Sequence, residues 1–311
     1  MIDFEVKEII TVAVISYNSG NTIADTLNSI VSQTYNKNAI EVIIADDGSR
    51  DHTLSVAQQW KEQNNHLFNN IVIVTHEKNR GVAANCNQAW QLASGSWIKT
   101  IAADDLLLPN CIELNVRFIS RHPKAKIVFS DMIPFTVDGK NTPIKHDKKK
   151  ICANQQLQLK NILSECYLLA PTGFISKDVL EYVGYADESY PMIEDYPLWL
   201  KCLRSGFTLS YMEENTVLYR KGDSLSQQGS RIGNLLYLQS LYSFQKEKIW
   251  PLLPASMLLK KWDDFLLFKQ KTVWMKIFGN KVTVPYLVVQ KLMFLLRPYK
   301  VFNVTKKNLI K

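Results

Sequence analysis

Between residues 9 and 101 the chain alternates apolar runs with amphipathic segments, and that alternation admits essentially one broad class of fold. Ile9-Ile10-Thr11-Val12-Ala13-Val14-Ile15 is almost unbroken in apolar, β-branched residues, the pattern of a strand buried on both faces. After the turn at Ser19-Gly20, Ile23, Leu27, Ile30 and Val31 recur at helical spacing. Residues 41–45 predict a second buried strand. Leu54, Ala57 and Trp60 predict a second helix, opened by Ser49 and Asp51 as capping residues. A third strand follows at 71–75, a third helix along Val82, Cys86, Ala89 and Ala93, and a fourth strand at 97–101. Strands separated by helices pair in parallel with helices on both faces, so an α/β fold with a mostly parallel sheet is expected.

Beyond Pro109 the pattern loosens. Residues 126–130 read as another strand. A lysine-rich, turn-rich stretch around Asp138-Gly139 and Lys148-Lys149-Lys150 reads as a mobile loop over a site. Residues 197–203 read as a helix with proline in its first turn. Residues 207–212 and 216–219 read as strands, with Glu213-Glu214 in the turn between them. After Gln228 the chain becomes helical, aromatic and basic. A length of 311 residues suits two domains, and the boundary is expected near 230, giving 1–230 and 231–311. The net charge of +8 is unevenly spread: residues 231–311 carry +12 and the rest carries −4. A basic, aromatic C-terminal region suggests an anionic partner, and stretches such as Trp274-Met275-Lys276-Ile277-Phe278 mix apolar and basic residues as interfacial helices do. A structural subdomain or a homo-oligomer interface is the alternative use of this region.

No window reaches the ~18 uninterrupted apolar residues of a membrane-spanning helix, and Met1 to Ile10 lacks the apolar core of a secretory signal. Five widely spaced cysteines without a C-x-x-C pattern read as reduced thiols, so a cytoplasmic protein is expected.

In open α/β sheets, ligands lie just beyond the carboxyl ends of the parallel strands. The first strand delivers Ser16-Tyr17-Asn18 there, the second Asp46-Asp47-Gly48-Ser49, the third Asn79-Arg80-Gly81 and the fourth Asp104-Asp105. Taken singly these are turns and helix caps, and Arg80 is a surface arginine. Their coincidence at successive strand ends is what suggests a site. Four aspartates on one edge repel unless a cation or hydrogen-bond donors compensate, and a hard divalent ion carrying phosphates would do so.

These residues resemble family 2 glycosyltransferases. The resemblance rests on Val14-Ile15-Ser16-Tyr17-Asn18, on Val42 through Asp51, on Asn79-Arg80-Gly81-Val82-Ala83-Ala84-Asn85-Cys86-Asn87, on Ala103-Asp104-Asp105 with Pro109, and on Glu194-Asp195-Tyr196-Pro197-Leu198-Trp199-Leu200, with Tyr219-Arg220 opening the last motif. It covers about residues 9–226. It implies the GT-A fold and an inverting transfer of a sugar from a nucleotide-sugar donor, with UDP the expected nucleotide. Tyr17 and Asn18 would meet the nucleoside. Asp47, with Asp46 beside it, would accept the imide N–H of the base, Arg80 would face the pyrophosphate, Asp104 would lie near the ribose, and Asp105 would bind Mn2+ or Mg2+. Asp195 would be the general base and Glu194 its neighbour. The implied acceptor is lipid-linked or an oligosaccharide, as in surface or capsular polysaccharide synthesis such as O-antigen, at the inner face of the membrane.

The chain departs from the family pattern in three places. Ala102 stands where an Asp is common, Cys86 where an Arg is common, and Lys221-Gly222-Asp223 follow Tyr219-Arg220 where a metal-binding His is common, leaving Asp223 as a substitute. These departures motivate one rival, a non-catalytic nucleotide- or glycan-binding homologue. A sugar nucleotidyltransferase is the other rival, and it would want a glycine-rich phosphate loop where Ser16-Tyr17-Asn18-Ser19-Gly20 has one glycine. No nucleic-acid-binding motif accompanies the basic residues.

Overall fold

A computed structural model describes residues 8–136, 139–222 and 231–301. Asp138 and Asp223, both raised by the sequence, lie outside the described residues. The chain divides into two compact units, Met1–Ile162 with Cys166–Lys221, and Leu163–Glu165 with Gly222–Lys311.

The larger unit is built on a mixed sheet of nine described strands: β1 (Ile10–Ser16), β2 (Ile40–Asp46), β3 (Asn70–Thr75), β4 (Trp97–Ala102), β5 (Leu106–Leu107), β6 (Ile127–Thr136), β7 (Gly139–Lys140), β8 (Phe174–Ser176) and β9 (Ser210–Arg220). Their order is β3-β2-β1-β4-β8-β6-β9-β5, with β7 paired to β6. β3, β2, β1 and β4 run parallel; β8 is antiparallel to β4 and to β6, β9 is parallel to β6, and β5 is antiparallel to β9. The helices of this unit are α1 (Ile23–Val31), α2 (Thr53–Asn64), α3 (Val82–Leu92), α4 (Cys111–Arg121), α5 (Lys148–Ile151), α6 (Gln155–Ser164), α7 (Lys177–Val183) and α8 (Asp195–Arg204).

Every residue of β2 is buried, and so is every residue of β1 but Ile15. On one face Ile10, Val12 and Val14 of β1 join Ile23, Leu27 and Ile30 of α1 and Ala57 and Trp60 of α2 in one core. Each such aliphatic side chain contributes roughly 1.5–3 kcal/mol by leaving water. The helix α3, packed on β1 and β2, offers mainly small buried residues, Ala83, Ala84, Cys86 and Ala89, which lets its axis come close to the strands. The register places Ser16, Asp46 and Thr75 side by side and sets Ala102 opposite Ile15, so four parallel strands end in one row.

Three features differ from the sequence reading. Helices α4, α6 and α7 have no counterpart in it. Residues 210–220 form one strand rather than two. Phe129 pairs with Tyr211 and Asp131 with Asn215, so β9 takes up two extra residues in an irregularity that contains Glu213-Glu214. Pairing to β6 on both sides of this bulge carries the chain through a segment whose local composition reads as a turn. The described part of the lysine-rich stretch is anchored to the sheet: Ile144 bridges Met132, His146 and Ile151 are buried, and Lys148 pairs with Glu213 at 2.7 Å.

The smaller unit contains α9 (Leu235–Phe244), α10 (Leu259–Phe278) and α11 (Val284–Leu295). Asn234 caps α9 by accepting from the Leu236 and Tyr237 amides, and Thr283 caps α11 through the Tyr286 amide. Tyr242 stacks on Phe268 with centroids 4.2 Å apart, and Trp274 meets Tyr286 edge-on at 5.5 Å. Lys260 and Asp264 form a buried ion pair at 2.6 Å, which Trp250 Nε1 joins at 3.1 Å. Among the described residues no helix is long and apolar enough to cross a membrane.

Candidate active site

The loops after β1, β2 and β3 are tied to one another by their own polar side chains. Asp46, buried at the end of β2, accepts from Ser16 Oγ (3.2 Å), Ser49 Oγ (2.5 Å), the Ser49 amide (2.8 Å) and Thr75 Oγ1 (3.1 Å). This many donors accounts for a carboxylate inside a sheet edge, and it makes Asp46 a brace for three strands. Asp47 accepts from the amides of Arg80 and Gly81, both at 2.8 Å, and lies 3.1 Å from His76 Nδ1. A carboxylate offers about four lone-pair sites. Two of these contacts fall on Oδ1 and one on Oδ2. Asn18 adopts φ +50°, accepts from the Arg50 amide at 2.9 Å and donates its own amide to Ser49 Oγ at 2.7 Å. Tyr17, by contrast, is 47% exposed and projects from the strand end as a flat apolar surface.

The Asp104-Asp105 pair follows β4. Asp105 is buried, and its Oδ1 accepts the Arg220 amide at 2.8 Å. Arg220 is spread over this corner: Nε donates to the Asp104 carbonyl at 2.7 Å, Nη2 to Asp25 at 3.0 Å, and the guanidinium lies 4.7 Å from the Phe135 ring centroid. Burial, then the adjacent Asp104 charge, push the Asp105 carboxyl up to about 8 against the opposing pull of Arg220 and Lys99. Burial also raises Asp104, which Arg220 partly offsets. Lys99, fully buried in β4, donates to the carbonyls of Pro171 and Gly173, and burial lowers its pKa.

Glu194 and Asp195 open α8, and the loop before them is docked on the start of α3. The Ala83 amide donates to Pro191 O at 3.3 Å, Asn87 bonds both Ala186 and Glu188, and Arg80 pairs with Glu188 at 2.9 Å. Asp195 accepts the Tyr196 amide at 2.6 Å and the Cys166 thiol at 3.9 Å. Both carboxylates are partly open to solvent yet hemmed in by protein, and burial pushes both above the usual carboxylate range. Repulsion from Asp195 adds to the shift of Glu194. Cys86 on α3 is the meeting point. Burial raises its thiol pKa, and the charges of Glu194, Asp195 and Asp47 raise it further. A single side chain therefore feels both Asp47 and the late acidic pair.

The structure thus brings Tyr17, Asn18, Asp46, Asp47 and Arg80 together at one edge, sets Asp104 and Asp105 at the end of the adjoining strand, and docks the loop that leads into Glu194 and Asp195 on the start of α3. Arg80 turns its guanidinium to Glu188. Four contributors were not singled out from sequence: Arg220, Lys99, His76 and Asn85, whose Nδ2 clasps the carbonyls of Ser16 (3.2 Å) and Ala45 (3.0 Å). Arg220 and Asn85 stand inside the quoted motifs, which was the available signal; Lys99 and His76 had none. Among the described residues no three His, Cys, Asp or Glu side chains converge as a ready-made metal cage. Adjacent Asp104 and Asp105 nevertheless supply hard oxygen donors whose charge Arg220 and Lys99 only partly offset, which fits an ion completed by phosphate oxygens and water.

A parallel four-strand row with aspartates after its second and fourth strands, extended by a mixed sheet, is the arrangement of the GT-A fold. The chain belongs to glycosyl transferase family 2, whose model matches residues 11–183, and it is a nucleotide-sugar-dependent enzyme of EC class 2.4. It is 29% identical over 202 residues to the UDP-Glc:alpha-D-GlcNAc-diphosphoundecaprenol beta-1,3-glucosyltransferase WfaP of Escherichia coli, covering 64% of this chain and 72% of that one. Two solved structures share the fold. TarS 1-349 of S. aureus in complex with UDP-GlcNAc has a TM-score of 0.59 at 19% identity, over 84% of this chain and 81% of that one. The mannosyltransferase PcManGT of Pyrobaculum calidifontis, in complex with GDP-Man and Mn2+, has a TM-score of 0.59 at 18% identity, over 97% and 85%.

Proposed function

We propose that this enzyme transfers one sugar, with inversion, from a UDP-sugar to a hydroxyl of a lipid-linked or oligosaccharide acceptor in surface-polysaccharide synthesis, working at the inner face of the membrane. Residues 1–230 would bind donor and acceptor, and 231–311 would serve the membrane contact. The observation that carries the reading is the docking of the loop before Glu194-Asp195 on the start of α3, where the Ala83 amide donates to Pro191 O and the neighbouring Gly81 amide donates to Asp47. WfaP uses UDP-glucose and a diphosphoundecaprenol-linked acceptor, and TarS binds UDP-GlcNAc, which supports a UDP-sugar donor here, while PcManGT binds GDP-Man.

Tyr17 gives the base a flat surface. Asp47 keeps acceptor capacity for an imide N–H while its other contacts hold the Arg80-Gly81 turn. Asp104 and Asp105 would hold a divalent cation, Mn2+ or Mg2+, whose charge would stabilise the departing diphosphate. Asp195 takes the proton of the acceptor hydroxyl as that oxygen attacks the anomeric carbon, and its burial keeps its proton affinity high, as a base working near neutral pH requires.

Asp195→Asn preserves size and should cut turnover by ~10²–10⁴. UDP affinity, measured by calorimetry with Mn2+, should stay nearly unchanged. Near-wild-type turnover, or loss of UDP binding as severe as that of Asp105→Ala, would mean the base lies elsewhere. UDP binding without any turnover in the wild type would favour the non-catalytic homologue.

A further inference from the structure

The helix α11 presents its apolar residues the wrong way round for a helix at a protein surface. Its inner side is occupied by Tyr286, which is buried, and by half-buried Val289, Met293 and Phe294. Its outer stripe is Val284, Leu287, Val288, Leu292 and Leu295, at i, i+3, i+4, i+8 and i+11, and three of these are 75%, 60% and 70% exposed (Val284, Leu292 and Leu295). The outward face of a surface helix is ordinarily polar. Ile277 and Phe278, at the end of α10, are exposed as well.

Charge identifies the occupant. After Asp264 the sequence contains ten Lys and Arg and no acidic residue. The two preceding acids are used internally: Asp264 is paired with Lys260, and Asp263 accepts the Lys300 amide at 2.7 Å, with Arg297 Nε 4.0 Å away. Among the described residues the side chains of Lys276, Lys281, Lys291 and Lys300 have no carboxylate partner. A second copy of the chain would bring the same unrelieved cations to a two-fold interface, where like charges oppose association. An anionic bilayer surface accepts both features. The apolar stripe enters the acyl boundary, with Lys281 just before the helix and Lys291 on the stripe able to extend their amines to the headgroups.

We infer that α11 is a membrane-docking helix that lays the Val284–Leu295 stripe into an anionic lipid surface, held there by the surrounding lysines. This deepens the membrane-face reading above and stands on the smaller unit alone. The test uses the full chain with vesicles of phosphatidylcholine, with and without phosphatidylglycerol. Wild-type protein should sediment with the anionic vesicles and be released by salt, and neutral vesicles should bind far less. Val288→Glu with Leu292→Glu, both outward-facing, should abolish sedimentation. Lys291→Gln with Lys281→Gln should weaken it about 5-fold per charge removed, near 25-fold in all. UDP affinity and the far-ultraviolet dichroism of each variant establish that it folds. Donor hydrolysis without vesicles tests the transfer chemistry separately, so a failed docking experiment and a failed functional reading are distinct results. The inference is overturned if wild-type protein ignores anionic vesicles. It is also overturned if the Glu substitutions leave sedimentation intact while converting an oligomer to a monomer.

Discussion

Single residues in this enzyme often serve the loop network first and leave one atom or face for a ligand. Gly81 is the sharpest example. Its φ of +94° is a conformation that side chains rarely adopt, and a Cβ there would lie 2.4 Å from Pro191 O, the carbonyl that docks the acidic loop on α3. Gly81→Ala should therefore cost ~1–3 kcal/mol in urea unfolding and lower turnover more than UDP affinity, because the Glu194-Asp195 side shifts. An unchanged urea midpoint would show that the loop relaxes freely. His146 makes a pH prediction. Its Nε2 accepts the Leu169 amide at 3.1 Å, and burial lowers its pKa to about 4. The unfolded chain takes up this proton near pH 6.5 and the folded chain only near 4, so stability is intact above about 6.5 and falls as the pH drops toward 4. The total loss from this group is ~3 kcal/mol, and His146→Gln should flatten the pH profile of the urea midpoint across that window.

Elements are positioned for function by side chains that reach across them. Asn85 lies on α3, yet its amide holds the Ser16 and Ala45 carbonyls at the ends of β1 and β2, the two strands that deliver Tyr17 and Asp47. Asn85→Ala should destabilise the larger unit by ~1–3 kcal/mol, since buried carbonyls lose donors, and should weaken UDP binding with it. Preserved UDP affinity alongside a lowered stability would confine the clasp to a structural role. β9 shows the same principle in the sheet. Its irregular pairing with β6 ends at Arg220, whose amide and guanidinium reach the loop after β4. The bulge therefore sets where that arginine lands, and Glu213-Glu214 are part of the strand that does so.

At the scale of the molecule, ligand binding should register as stabilisation of the unit that holds the site. UDP at a hundred times its dissociation constant adds ~2.7 kcal/mol to unfolding. The midpoint shift with UDP and Mn2+ should exceed that with UDP and EDTA, and equal shifts would argue against the metal-bridged diphosphate. The strand–helix alternation of residues 9–101 was legible because each of those elements carries its burial pattern within a few residues, and the polar clusters were legible because parallel strands end together. The same locality explains why the aspartates were found as a group. What the sequence did not determine is the division of labour among them. Asp46 braces three strands, and Asp47 holds a turn 33 residues away through the Arg80 amide. Asp105 is held by Arg220, 115 residues downstream. Those partners meet only when the sheet closes, and a carboxylate's protonation and free lone pairs depend on which donors and charges surround it. Composition likewise marked the C-terminal region as basic and apolar. Only the packing of Tyr286 inward decided which stripe of α11 faces out, because a helix with apolar residues on both sides has no preferred inner face until a neighbour selects one.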